Sequence, residues 1–114
     1  MISKTNIYPI GIGTWKIDYE NFENEIDALM HSYRLGQNYL SLSLLYNNGE
    51  VVKQMKKLID KIGRENVFIA TNLEPTIETI EDIEKQLNQY LQILNIEYVD
   101  MLQIGARNMQ NFEL

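Results

Sequence analysis

Residues 39–50, YLSLSLLYNNGE, decide how the rest of the chain is read. Tyr39, Ser41 and Ser43 fall on one side of an alternation, Leu40 and Leu42 on the other. Side chains alternate faces along a strand, so a strand with one small polar face and one apolar face is predicted. Leu44 and Leu45 carry the run on. Tyr46 follows, then the turn formers Asn47, Asn48 and Gly49, and a helix predicted to begin near Glu50. Tyr46 thus falls at the C-terminal end of a strand, just before a strand-to-helix loop. That is where α/β sheets and barrels carry their chemistry.

Working outward, residues 50–62 repeat the helical spacing through Val51, Val52, Met55, Leu58, Ile59 and Ile62, and Gly63 ends the helix. Lys53, Lys56, Lys57 and Lys61 read as a solvated face. Residues 67–73, VFIATNL, form a continuous apolar run, the mark of a strand covered on both sides. Glu74-Pro75-Thr76 is expected to start a long helix reaching Leu94. Its buried stripe is predicted as Ile80, Ile83, Leu87, Leu91 and Leu94, with acidic Glu78, Glu81, Asp82 and Glu84 toward the N-terminal end, where the helix dipole favours them. Residues 98–104, YVDMLQI, read as a further strand, and residues 105–114 as a short polar end. On the other side, Asp18 or Asn21 can cap a helix over residues 22–35. Its stripe is Phe22, Ile26, Leu29, Met30 and Tyr33, and Gly36 stands past its end with Arg34 in the last turn. Residues 7–15, IYPIGIGTW, read as a short strand entering a loop. Gly11 and Gly13 suggest a close backbone approach or a positive-φ bend. The third glycine of a dinucleotide-binding turn is missing and no helix follows, so that fingerprint is not supported. The order β-α-β-α-β-α-β implies an α/β fold with parallel strands and right-handed crossovers.

The 114 residues suit one domain, 1–114, with a modest core. A net charge of −6 argues against nucleic acid and against an anionic membrane surface as partners. Cysteine is absent, which excludes disulfides and thiolate metal sites. No apolar run is long enough to cross a membrane and no signal peptide pattern opens the chain, so a cytoplasmic setting is expected. The single histidine, His31, has no ligand companions nearby and reads as a surface or flank residue; no metal site is expected.

Four stretches, in order, resemble the aldo-keto reductase family. GIGTW at residues 11–15 is similar to the family's first barrel strand and loop. Residues 40–50 resemble a strand ending in D-T-A-x-x-Y-G-x-E. Residues 67–73 resemble an F-I-x-T-K strand, and residues 94–104, LNIEYVDMLQI, resemble L-G-x-D-Y-V-D-L-x-x-I-H. The resemblance implies parallel βα units forming about the first half of a TIM (β/α)8 barrel. It also implies carbonyl reduction in which NADPH delivers hydride and a tyrosine protonates the oxygen. A lysine, buttressed by an aspartate, lowers the tyrosine pKa, and a histidine orients the carbonyl. Residue by residue, the tyrosine falls on Tyr46, the aspartate position on Ser41, the lysine position on Asn72 and the histidine position on Gly105. Gly13, Thr14 and Trp15 match a loop beside the nicotinamide and substrate, while the family's main cofactor contacts come from the second half of the barrel. Asp100 matches a residue of structural character.

Only Tyr46 survives of the four catalytic positions, so the resemblance implies a truncated, catalytically impaired reductase, a pseudoenzyme. The inward face inferred from the alternation is Ser41, Ser43, Phe68, Ala70, Asn72, Gln103 and Gly105, which is small, polar, uncharged and able to hold a neutral ligand. A half barrel exposes unpaired edges and lacks an opposite wall, so a homo-oligomer or a separate C-terminal half is the expected partner. The alternative is a non-catalytic binding or regulatory scaffold assembling through those edges; a third reading is a different enzyme using Tyr46 with Gln103 or Asn72. Structural roles compete with these. Tyr46 can cap the strand end with its ring packed, Trp15 can be a core or loop anchor, and Asn47-Asn48-Gly49 is turn chemistry first.

Overall fold

The computed structural model describes residues 6–105. Its elements run β1 (Ile12–Gly13), α1 (Phe22–Arg34), β2 (Tyr39–Ser43), α2 (Glu50–Ile62), β3 (Phe68–Asn72), α3 (Ile80–Leu94) and β4 (Met101–Gln103). Short 3₁₀ turns at Tyr46–Gly49 and Arg64–Asn66 precede α2 and β3. The strands make one all-parallel sheet in the order β1-β2-β3-β4. This is the expected α/β architecture, a strip of sheet with every helical crossover on one face.

The leucines of β2 explain that layering. Leu40, Leu42 and Ile69 are completely buried and meet Val51, Val52, Met55, Leu58 and Ile59 of α2. Burying a large aliphatic side chain contributes about 1.5–3 kcal/mol, so the even-numbered positions of β2 commit that face to the helices. The α2 helix packs between α1 and α3.

Four expectations change. The first strand shrinks to two residues and the last to three. Asp100 precedes β4 and does not lie within it. Its carboxylate pairs with Arg64 at 2.7 Å and accepts the Ile69 N–H at 2.8 Å, while Arg64 also donates to the carbonyls of Val67 and Tyr98 and stacks on the Tyr98 ring. This staple supports the structural character expected of Asp100. Helix α3 starts at Ile80, not at Glu74-Pro75-Thr76. The reason is a capping box: the Thr79 hydroxyl accepts the Asp82 N–H at 3.2 Å, and the Asp82 carboxylate accepts the N–H of Glu78 and of Thr79 at 3.0 Å. Before it, Ile77 plugs into the core and Gln86 Oε1 accepts the Glu74 N–H at 2.9 Å. The α3 stripe also moves. Gln86, Tyr90 and Leu94 are the buried residues; Ile83, Leu87 and Leu91 are half-buried and Ile80 is 63% exposed. One flank of α3 meets α2, and the aliphatic positions lie toward its other flank.

His31 is exposed, as expected. Residues 106–114, part of the predicted polar end, lie outside the described residues. Among the described residues no helix is long and apolar enough to cross a membrane.

Candidate functional site

Laterally paired residues of a parallel sheet share a face. The register therefore lays out three rows on the side opposite the helices. Tyr39 pairs with Phe68, and their rings stack at 5.3 Å. Gly13, Ser41, Ala70 and Met101 form the next row, and Ser43, Asn72 and Gln103 the third. Ser41, Ser43, Phe68, Ala70, Asn72 and Gln103 thus sit where the alternation put them. Tyr39 and Met101 join them, each in phase with the residues already on that face of its strand. Gly105 lies past the end of β4 and is exposed. No charged side chain stands in these rows among the described residues.

The β1 loop is tied to β2 by Thr14, which is 1% exposed and donates its hydroxyl to the Ser41 carbonyl at 2.6 Å. Trp15 does not anchor the core. It is 69% exposed, with the Lys16 ammonium 4.8 Å from its ring, and Lys16 itself takes a positive φ of 67°. The two glycines separate in role. A Cβ on Gly11 would stand 2.6 Å from the Tyr39 ring, whereas one on Gly13 would meet nothing within 4 Å. Gly11 allows a close approach; Gly13 opens onto an uncharged cleft of about 490 Å³ beside Tyr8, Tyr39 and Ser41.

Tyr46 sits half-buried against the core in the turn above β2. Asn47, Asn48 and Gly49 take φ of 49°, 54° and 85°, three consecutive left-handed residues. Asparagine and glycine are the residues that tolerate this region, so NNG is the turn chemistry the sequence announced.

Sequence reasoning missed Tyr90. It is completely buried, and its hydroxyl accepts the Leu44 N–H at 2.9 Å while donating to the Asn72 carbonyl at 2.8 Å. Burial pushes its phenol up to about 12, against a smaller downward pull from the Leu44 N–H. The signal was available: Gln86, Tyr90 and Leu94 recur every four residues, so a polar-tipped stripe runs along the helix beside the aliphatic one.

The sequence matches the Aldo/keto reductase family over residues 9–111. The chain belongs to this family. It is 29% identical over 96 residues to aldo-keto reductase family 1 member A1 of Mus musculus, covering 81% of this chain and 29% of that protein. It is 31% identical over 101 residues to the NAD(P)H-dependent D-xylose reductase of Scheffersomyces stipitis, covering 83% of this chain and 30% of that protein. The chain therefore spans about three-tenths of the length of these curated relatives. A thermostable aldo-keto reductase solved with the inhibitor epalrestat superposes with a TM-score of 0.81 at 26% identity, over 96% of this chain and 43% of that one. An aldo-keto reductase from Klebsiella pneumoniae solved with NADPH shares the fold at a TM-score of 0.78 and 20% identity, over 87% of this chain and 35% of that one. The four-stranded sheet of this family member corresponds to part of such a barrel, and its open rows are the barrel-facing side.

Proposed function

We propose that this chain supplies the N-terminal strands and helices of an aldo-keto reductase barrel as one domain, and that at this length it is impaired as an NADP-dependent carbonyl reductase. One observation carries the reading: the barrel-facing rows hold Ser41 and Asn72 where the family's pattern has aspartate and lysine, and no charge replaces them. Tyr46 is the acid that remains. A neighbouring ammonium would favour the tyrosinate; the neutral amide of Asn72 carries no charge to do so. Gly105 brings no imidazole to orient a carbonyl. A well-matched acid contributes roughly 100- to 10,000-fold in rate, and much of that factor is lost here.

The residues present do not fit NADPH as a whole. Gly13 leaves open space, and Trp15 offers an exposed ring beside it. Thr14, however, is buried with its hydroxyl committed to Ser41. The rows offer no cation to the cofactor's phosphates, which phosphate recognition favours.

The first test is a fluorescence titration with NADPH, followed by NADPH oxidation with glyceraldehyde. The expected result is no saturable binding and a turnover equal to that of Tyr46→Phe. Saturable binding, with turnover that Tyr46→Phe abolishes, would overturn the reading.

A non-catalytic scaffold is the second reading, favoured by where the exposed large hydrophobic residues stand. Tyr98, Met101, Leu102 and Ile104 crowd the β4 edge, and Ile7, Tyr8 and Ile10 the β1 edge. A second copy of the chain, or a separate C-terminal half, would cover both. The acidic, cysteine-free composition suits a reducing cytoplasm.

A further inference from the structure

The ladder between β2 and β3 is interrupted one step before the Tyr46 turn. At its start, with Tyr39 paired to Phe68, the Phe68 N–H donates to the Asn38 carbonyl at 2.7 Å. A parallel ladder repeats evenly, each residue of one strand bonding the two residues that flank its partner on the other. With Phe68 as the bonding residue opposite Tyr39, Ala70 and Asn72 take the same role opposite Ser41 and Ser43. The last bond due is therefore from the Leu44 N–H to the Asn72 carbonyl. Instead, the Tyr90 hydroxyl stands between them, accepting from Leu44 at 2.9 Å and donating to Asn72 at 2.8 Å.

We propose that Tyr90 is a positioning residue, a wedge from α3 that holds the ends of β2 and β3 apart and so sets where Asn72 and the Tyr46 turn stand. An inserted oxygen replaces a direct contact of about 2.9 Å with a donor–acceptor gap of roughly 4–5 Å. Leu44 is two residues from Tyr46, so the gap is passed to the turn through one intervening residue, Leu45. Tyr90 suits the task because its root is on the buried stripe of α3 while its hydroxyl reaches the sheet end. Phenylalanine would fill the same core space and lose both bonds. The side chain is completely buried, so water does not compete for these partners. The functional meaning of the wedge rests on the reading of Asn72 and Tyr46 given above; the wedge itself rests only on the two hydrogen bonds and the register.

The test uses the full chain with Tyr90→Phe and, separately, 3-fluorotyrosine at position 90. In Tyr90→Phe the Leu44 amide is expected to exchange at least 10-fold faster, and the Tyr46 ring resonances to move, while the Val52 and Ile59 amides keep their protection. The fluorinated residue keeps the hydroxyl and restores both. Unchanged Leu44 protection in Tyr90→Phe overturns the proposal, and so does an equal loss of protection throughout the core. Asn72→Lys separates the wedge from the reading of the site. The Tyr46 ring resonances should then move, and adding Tyr90→Phe should reduce that change. Tyr46 ring resonances that Asn72→Lys does not move sink the lysine-position reading, and the wedge still stands or falls on Leu44 exchange.

Discussion

Gly11, Thr14 and Tyr90 each make a contact that a single atom decides. Gly11→Ala would put a methyl 2.6 Å from a Tyr39 ring carbon, and that ring is held against Phe68. Overpacking of this kind costs about 1–3 kcal/mol, so a lower urea midpoint is expected; an unchanged midpoint would show that the Tyr39–Phe68 stack yields freely. Thr14→Val removes the donor to the Ser41 carbonyl in a buried position. A loss of about 1 kcal/mol in the same assay is expected. Tyr90 gives a pH signature. Its phenol is raised from 10.0 to about 12 in the folded chain. Because the folded value lies above the unfolded one, its contribution is complete below pH 10 and is lost as the pH rises toward about 12. Thermal melts across that window should show a steeper fall for the native chain than for Tyr90→Phe. Matching slopes would mean that the phenol is not buried as described.

At the scale of elements, α3 shows how a local rule displaces a broader one. Acidic residues and a proline near residue 75 suggest an early helix start, yet the reciprocal bonds of Thr79 and Asp82 fix it at Ile80. The N–H groups of Glu78 and Thr79 hold the Asp82 carboxyl below its ordinary value of 3.8. A lowered folded value means that the contribution is present above pH 3.8 and lost as the pH falls through the folded-state value. Asp82→Asn should therefore flatten the acid limb of the α3 unfolding profile, followed by circular dichroism. An acid limb unchanged by the substitution would count against the capping box. The turn between β2 and α2 obeys the same kind of local rule. Asn47 and Asn48 hold left-handed conformations that cost a β-branched residue far more, so Asn48→Val should destabilise by about 1–2 kcal/mol.

For the molecule as a whole, both ends of the sheet carry exposed apolar side chains among the described residues. Leu102 and Ile104 remain 36% and 40% exposed on β4 and just beyond it, and Leu87 and Leu91 of α3 line a shallow cleft of about 330 Å³ beside Tyr98 and Met101. Unpaired strand edges with apolar flanks recruit partners. We expect light scattering to find the purified chain above monomer mass and the double variant Leu102→Lys, Ile104→Lys shifted toward monomer. A monodisperse native monomer at high concentration would remove self-assembly from the scaffold reading. Two-fold closure would pair the β4 edge of each copy with the β1 edge of the other.

The alternation in residues 39–43 and the apolar run before Asn72 were enough to establish parallel βα units, because side-chain period and burial are local properties of a strand. The same local logic made Gly36, NNG and Gly63 legible as stops and turns, and the ordered motifs made the family legible. Ser41, Asn72 and Tyr46 could be named as the positions that matter because they follow from strand phase. The burial of Tyr90 was open to reading from its four-residue stripe, but its role was not, since that comes from contacts with residues 18 and 46 positions away along the chain. Nor was the exposure of Trp15, which lies in a loop where no periodicity applies. Sequence by itself determined which residues face the helices and which face the barrel side. Only the tertiary structure decided which of them touch, because hydrogen bonds across the sheet end depend on distances that no periodicity encodes.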